Sequence, residues 1–136
     1  MTYADTSALV KLLIAEGGSN ELVGYLRETP GPLTSSQLTI AELSRIMQRA
    51  VGDTDAAHML LETLDLLAVD EALLWRAGRL PCPPGTFLRT ADAVHLVAAM
   101  ELGESAILTY DRRQAQAAAK HGFRVITPGL PDNWHA

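Results

Sequence analysis

Four carboxylate side chains sit where a chain of alternating strands and helices would bring them together. Asp5 follows the strand-like Thr2 to Ala4, Glu42 lies in the first turn of the helix opened by Thr39, Asp92 lies in the first turn after Thr90, and Asp111 follows the uncharged stretch Ala106 to Tyr110. In an open parallel sheet the ligand crevice lies beyond the carboxyl ends of the strands, so all four acids are expected on one rim. Singly, each has a plain structural explanation: a carboxylate at a helix N-terminus accepts free amides and favours the positive end of the dipole, for about 0.3–2 kcal/mol. Thr39-Ile40-Ala41-Glu42 even has capping-box spacing. Convergence changes the weighing, because two like charges about 4 Å apart repel by about 4 kcal/mol at an effective dielectric of 20. Such a cluster must take up protons or hold cations, and hard divalent ions, Mg²⁺ or Mn²⁺, suit an all-oxygen donor set. An ion held this way activates water and stabilises a leaving oxygen, which is the chemistry of phosphodiester hydrolysis. It also lets an acidic protein receive a polyanion, since a bound cation inverts the local potential.

The elements that must position these acids follow from apolar spacing and breakers. A helix from Ser7 is stopped by Gly17-Gly18, and a second, capped by Ser19, ends at Pro30-Gly31-Pro32. Leu33 to Ser36 reads as a strand, and the helix from Thr39 carries Ile40, Leu43, Met47, Ala50 and Val51 on one face. Gly52 ends it and Asp53 caps the next, to about Leu64; Leu66 to Val69 is a strand, Asp70 to Leu80 a helix, and Pro81 to Gly85 a proline-rich loop. Thr90 caps a helix that is apolar nearly all round, so a carboxylate inside it, Asp92, needs compensation. Ala106 to Tyr110 is a buried strand, Arg112 to His121 a helix, Arg124 to Thr127 a last strand, and the tail from Pro128 irregular. Parallel neighbours need crossover helices, so this alternation predicts an α/β fold: a mainly parallel central sheet covered by helices on both faces, built as one domain over residues 1–136.

Composition bounds the function. At 136 residues, with 48% hydrophobic and 20% charged side chains, the chain can bury a core and is not disordered. Its net charge of −5 argues against binding nucleic acid through a basic surface, so any phosphate contact must be local or carried by a metal. One cysteine, Cys82, rules out an internal disulfide and an all-cysteine zinc site and suits a reducing compartment. No apolar run approaches a membrane span and no secretory signal pattern opens the chain, so no membrane association and a cytoplasmic location are expected.

Several further residues carry both a functional and a structural reading. Arg45 and Arg49 follow Glu42 at i+3 and i+7, sharing a helix face from which they could clamp phosphates, or serving solubility alone. Arg112 and Arg113, directly after Asp111, are candidate contacts for a polyanionic substrate or for an acid of a partner, or plain solvated charge. His95, one turn beyond Asp92, reads first as a satisfied core histidine and second as a hydrogen-bond partner of the site. His58, His121 and His135 lack metal-ligand spacing; Trp75 and Trp134 lack the basic neighbours of a base-stacking platform; no phosphate-binding or dinucleotide glycine motif occurs.

Asp5-Thr6-Ser7, Thr39 to Glu42, Thr90-Ala91-Asp92-Ala93-Val94-His95 and Thr109-Tyr110-Asp111-Arg112-Arg113 together resemble the four acidic blocks of the PIN domain, in order and spacing over almost the whole chain. In size and lack of extra domains the chain is similar to the VapC toxins of bacterial toxin-antitoxin pairs. That resemblance implies a three-layer α/β/α sandwich and a Mg²⁺- or Mn²⁺-dependent endoribonuclease acting on structured RNA such as tRNA or ribosomal RNA. It further implies a homodimer inhibited by a small cognate antitoxin. Carried over by position, Asp5, Glu42, Asp92 and Asp111 would be the metal-holding and catalytic quartet, with Ser7 and Thr109 as polar helpers near water or phosphate. The alternative is a non-catalytic α/β module whose acidic rim receives a basic peptide or a cation.

Overall fold

The computed structural model describes residues 2–136. Its strands are β1 (Thr2–Ala4), β2 (Leu33–Ser36), β3 (Asp65–Leu67), β4 (Ala106–Leu108) and β5 (Arg124–Ile126). Its helices are α1 (Thr6–Val10), α2 (Ser19–Glu28), α3 (Leu38–Val51), α4 (Asp55–Leu61), α5 (Glu71–Gly78), α6 (Thr90–Glu101) and α7 (Arg112–Lys120). The sheet order is β3-β2-β1-β4-β5 and every pairing is parallel, so the sheet is wholly rather than mainly parallel. The chain leaves β1 toward β2 and β3, then returns to lay β4 on the other side of β1. The reversal at β1 opens a crevice beyond the strand ends, where the residue after β1 is Asp5.

Alternation along the short strands divides the interior in two. Tyr3 and Ile107 point into the layer built on α5, α6 and α7, with Leu73, Leu96, Val97 and Ala118, while Ala4, Ala106 and Leu108 point into the layer of α1 to α4, with Leu9, Leu22, Leu43 and Leu61. The result is the expected three-layer α/β/α sandwich. Helix α6 is the most enclosed element, buried without interruption from Asp92 to Ala99, which explains why its sequence is apolar on all sides.

Local boundaries depart from the sequence expectation where hydroxyls and amides are drawn to the site. Strand β4 stops at Leu108 instead of Tyr110, because the Tyr110 amide donates to Ser7 Oγ (2.8 Å) and the Asp111 amide to Thr109 Oγ1 (3.1 Å) rather than to a neighbouring strand. Thr39 does not open α3 and Glu42 does not close a capping box. The helix starts at Leu38, Thr39 Oγ1 donates back to the Ser36 carbonyl (2.7 Å), and the Glu42 carboxylate finds partners on other elements. Arg89, not Thr90, is the N-cap residue of α6, and Asp92 accepts its backbone N–H (3.3 Å). Gly18, at φ +92°, rather than Ser19 precedes α2; Ser19 Oγ accepts from the Glu16 amide instead. Thr54 rather than Asp53 precedes α4. Helix α1 ends at Val10, not Gly17, as the chain tightens through Leu12→Leu9 and Leu13→Val10 backbone bonds. β3 starts one residue earlier and ends two residues earlier than expected, in register with Thr34 to Ser36.

Candidate active site

The structure brings Asp5, Glu42, Asp92 and Asp111 to the lining of one cavity of about 170 Å³, shared with Thr6, Ser7, Arg89, Ala91 and His95. A larger cavity of about 640 Å³, lined by Tyr25, Phe123, Ile126 and the tail, contains none of the four acids and no comparable convergence of charge.

Asp5 is the innermost acid, 4% exposed. It is the N-cap of α1: Oδ1 accepts from the Ala8 amide (3.2 Å) and the Ser7 hydroxyl (2.6 Å), and Oδ2 accepts from the Thr109 hydroxyl (2.5 Å). Thr109 is itself fully buried, so its hydroxyl is fixed between Asp5 and the Asp111 amide. No arginine or lysine pairs with Asp5 among the described residues. Burial therefore pushes its carboxyl above the ordinary value, against the pull of His95 and of the hydrogen bonds from Ser7, Thr109 and Ala8.

Glu42 projects from the start of α3. Its Oε1 accepts from the Thr6 hydroxyl (2.7 Å) and meets His95 Nε2 at 2.7 Å. Partial burial would raise this carboxyl, but the His95 hydrogen bond and charge, the Thr6 hydroxyl and the more distant Arg89 outweigh it and hold Glu42 below the usual range. His95, 4% exposed, joins the core to the site, because its Nδ1 lies 2.6 Å from the Tyr3 hydroxyl. Burial holds the Tyr3 phenol well above its ordinary value, and the His95 ring links that hydroxyl on one side to the Glu42 carboxylate on the other. The core and site readings of His95 thus both hold.

Asp92 and Asp111 come from the N-termini of α6 and α7, and one guanidinium spans them. Arg89 Nε lies 3.1 Å from Asp92 Oδ2, and its Nη2 lies 2.6 Å from Asp111 Oδ2. Asp111 Oδ1 meanwhile caps α7 through the amides of Arg113 (2.9 Å) and Gln114 (3.2 Å). Arg89 was absent from the sequence-derived set; its signal was a cation three residues before Asp92, obscured by the assignment of the cap to Thr90. Thr6, adjacent to Asp5, was also missed, and nothing in one sequence marks its partner 36 residues away.

The other predicted contact residues lie elsewhere. Arg45 and Arg49 are exposed and line a separate depression with Ser44, Gln48 and Thr54, so the shared face with Glu42 does not carry them into the acid cavity. Arg112 is turned to the C-terminus, donating to the Ala136 carbonyl (3.1 Å). Arg113 stacks over Phe87, 5.0 Å from the ring centre.

The donor set suits a hard dication: it is carboxylate-rich, and its most buried member lacks a cationic side chain. Asp92 Oδ1 and Glu42 Oε2 accept no hydrogen bond among the described residues. As arranged, no three His, Cys, Asp or Glu side chains among the described residues are placed to hold one ion, and the guanidinium of Arg89 stands between two of the acids.

Comparison with known proteins places this geometry. The PIN domain family model matches residues 2–120. Over 130 residues the chain is 42% identical to Ribonuclease VapC46 of Mycobacterium tuberculosis, covering 93% of this chain and 96% of that protein. Among solved structures it is similar to Mycobacterium tuberculosis VapC20, described as a Sarcin-Ricin loop cleaving toxin, with a TM-score of 0.77 and 17% identity over 94% of this chain and all of that one. It is similar also to a toxin-antitoxin complex from Klebsiella pneumoniae, with a TM-score of 0.72 and 20% identity over 94% of this chain and 98% of that one. With the family model matched across both helix layers and a relative of this identity aligned almost end to end, the chain belongs to the PIN-domain family and is of the VapC type.

Proposed function

We propose that this protein is a divalent-metal-dependent endoribonuclease, the toxin of a VapBC-type toxin-antitoxin pair, whose Asp5, Glu42, Asp92 and Asp111 hold the metal and direct phosphodiester hydrolysis. The observation that carries the reading is the convergence of four carboxylates from separate segments on one small cavity at the strand ends, in a chain 42% identical to a ribonuclease of the VapC type. Asp5 and Asp92 are the principal ligands, and Glu42 and Asp111 bind a second ion or position water. Mg²⁺ or Mn²⁺ held there supplies positive charge that polarises a phosphoryl oxygen and lowers the pKa of water.

The chain's own residues do the positioning. The hydroxyls of Ser7 and Thr109 fix both oxygens of Asp5, so the carboxylate keeps one orientation while buried. Thr6 and His95 together fix Oε1 of Glu42 and leave Oε2 for ligand or water. The N-termini of α6 and α7 contribute the positive ends of their dipoles beside Asp92 and Asp111, a field that favours an approaching phosphate. Arg45, Arg49 and Arg112, exposed and outside the acid cavity, are proposed contacts for the flanking RNA backbone.

Structured RNA such as tRNA or ribosomal RNA is the substrate in this reading, a small antitoxin and a second copy of the chain are its partners, and the cytoplasm is its location. No described helix is long and apolar enough to cross a membrane.

Incubation of the purified chain with total tRNA and ribosomal RNA in Mg²⁺ or Mn²⁺ tests the proposal. Discrete cleavage abolished by chelation, and reduced at least about a hundredfold in Asp92→Asn, is expected of a residue holding the catalytic ion. Equal cleavage by wild type and Asp92→Asn would overturn it. One observation favours the non-catalytic alternative: a guanidinium already fits between Asp92 and Asp111, as a basic peptide's arginine would. Binding of such a peptide with no metal-dependent turnover would decide for that reading.

A further inference from the structure

The geometry points to Arg89 as a built-in counter-ion that holds the acidic site together without metal and must release Asp111 before a dication can lie between the two acids. This rests on the metal-holding reading above and adds to it a determinant of metal affinity within the chain. Arg89 is the residue at the start of α6, so its backbone N–H and its side-chain Nε both reach Asp92 Oδ2, one turn into the helix. Its Nη2 extends across to Asp111 Oδ2 at the start of α7. A planar guanidinium spans two carboxylates at fixed angles, which a lysine ammonium does not do as well. The two contacts differ in what supports them. Asp92 keeps the backbone N–H of residue 89 whatever its side chain does, whereas the Asp111 oxygen that meets Arg89 has no other partner among the described residues.

The Arg89 side chain is 48% exposed, so it can swing toward solvent without breaking the core. The site therefore has two alternative states, the dication bringing one more positive charge than the guanidinium it replaces. In one, Arg89 neutralises the acids; in the other, a dication does and Arg89 is displaced. Because the two cations compete for Asp111, the arginine weakens metal binding while stabilising the metal-free chain.

Mn²⁺ titration calorimetry on the full chain without RNA, at fixed ionic strength, tests this. Arg89→Gln keeps the backbone contact and is expected to bind Mn²⁺ about tenfold more tightly than wild type, with Arg89→Lys between them. The metal-free Arg89→Gln protein should melt below wild type and gain more from saturating Mn²⁺. Equal or weaker Mn²⁺ affinity in Arg89→Gln overturns the proposal, as does a metal-free melting temperature equal to that of wild type. The result stays distinct from the nuclease reading: tighter Mn²⁺ binding by Arg89→Gln in a chain that cleaves no RNA supports the counter-ion role and refutes the activity.

Discussion

The contact of Tyr3 with His95 gives the sharpest quantitative test of how the core supports the site. The phenol oxygen and His95 Nδ1 are 2.6 Å apart and both residues are shut off from water, so each is the other's partner at that end. Tyr3→Phe leaves Nδ1 buried without its hydrogen-bond partner, a cost of about 1–3 kcal/mol. His95→Leu takes from the buried Tyr3 hydroxyl its partner at 2.6 Å, at a cost of up to about 1–3 kcal/mol, with a further packing term from the change of shape. The double variant removes both groups and leaves neither orphaned. It should therefore be less destabilised than the sum of the singles by about 1–3 kcal/mol, the coupling expected of residues in direct contact. Urea unfolding of the four proteins, metal-free at neutral pH, measures this. A second readout separates the core from the site: carbon-13 NMR titration of Glu42 should show its carboxyl rising in His95→Leu, which removes its hydrogen bond, and moving little in Tyr3→Phe, which does not. Additivity of the two singles within about 0.5 kcal/mol would refute the argument, because independent sites add to that accuracy.

Two further outcomes follow from the same structure. Asp5 titrates higher in the folded chain than its ordinary 3.8, so the native state binds more protons, and stability falls as pH rises from below 3.8 through the folded value and stays reduced at neutral pH. Asp5→Asn should then raise the melting temperature of the metal-free protein at pH 7 while abolishing cleavage, with the stability gap closing in acid; a variant less stable than wild type at pH 7 would contradict it. Gly18 lies at φ +92°, where an added Cβ would meet Tyr110 Cε1 at 3.0 Å, so Gly18→Ala should lose about 1–3 kcal/mol in thermal or urea unfolding, and an unchanged midpoint would show that the ring yields freely.

How much of this was legible beforehand depends on how local the cause was. The α/β alternation, the enclosed helix around Asp92 and the positions of Asp5 and Asp111 just beyond strands are set by apolar spacing and short-range breakers, which a sequence displays directly. The element ends depart from the local pattern where a tertiary partner overrides it. Thr39 to Glu42 has the spacing of a capping box, yet Glu42 is taken by Thr6 and His95, and the Tyr110 and Asp111 amides leave the strand for hydroxyls from α1 and their own loop. Arg45 and Arg49 share helix spacing with Glu42, but spacing fixes only the angle around the axis and not what the rest of the fold places opposite.

The sequence by itself determined which residues could carry charge at the strand ends and that a parallel sheet would gather them, because periodicity and composition encode burial. Only the tertiary structure decided how that charge is balanced. Tyr3 holds His95, His95 holds Glu42, and Arg89 joins Asp92 to Asp111, contacts spanning up to 92 residues of chain. Such pairings are invisible in one dimension. A buried polar group must find a partner, but which one it finds is set by the packing of layers and not by distance along the chain.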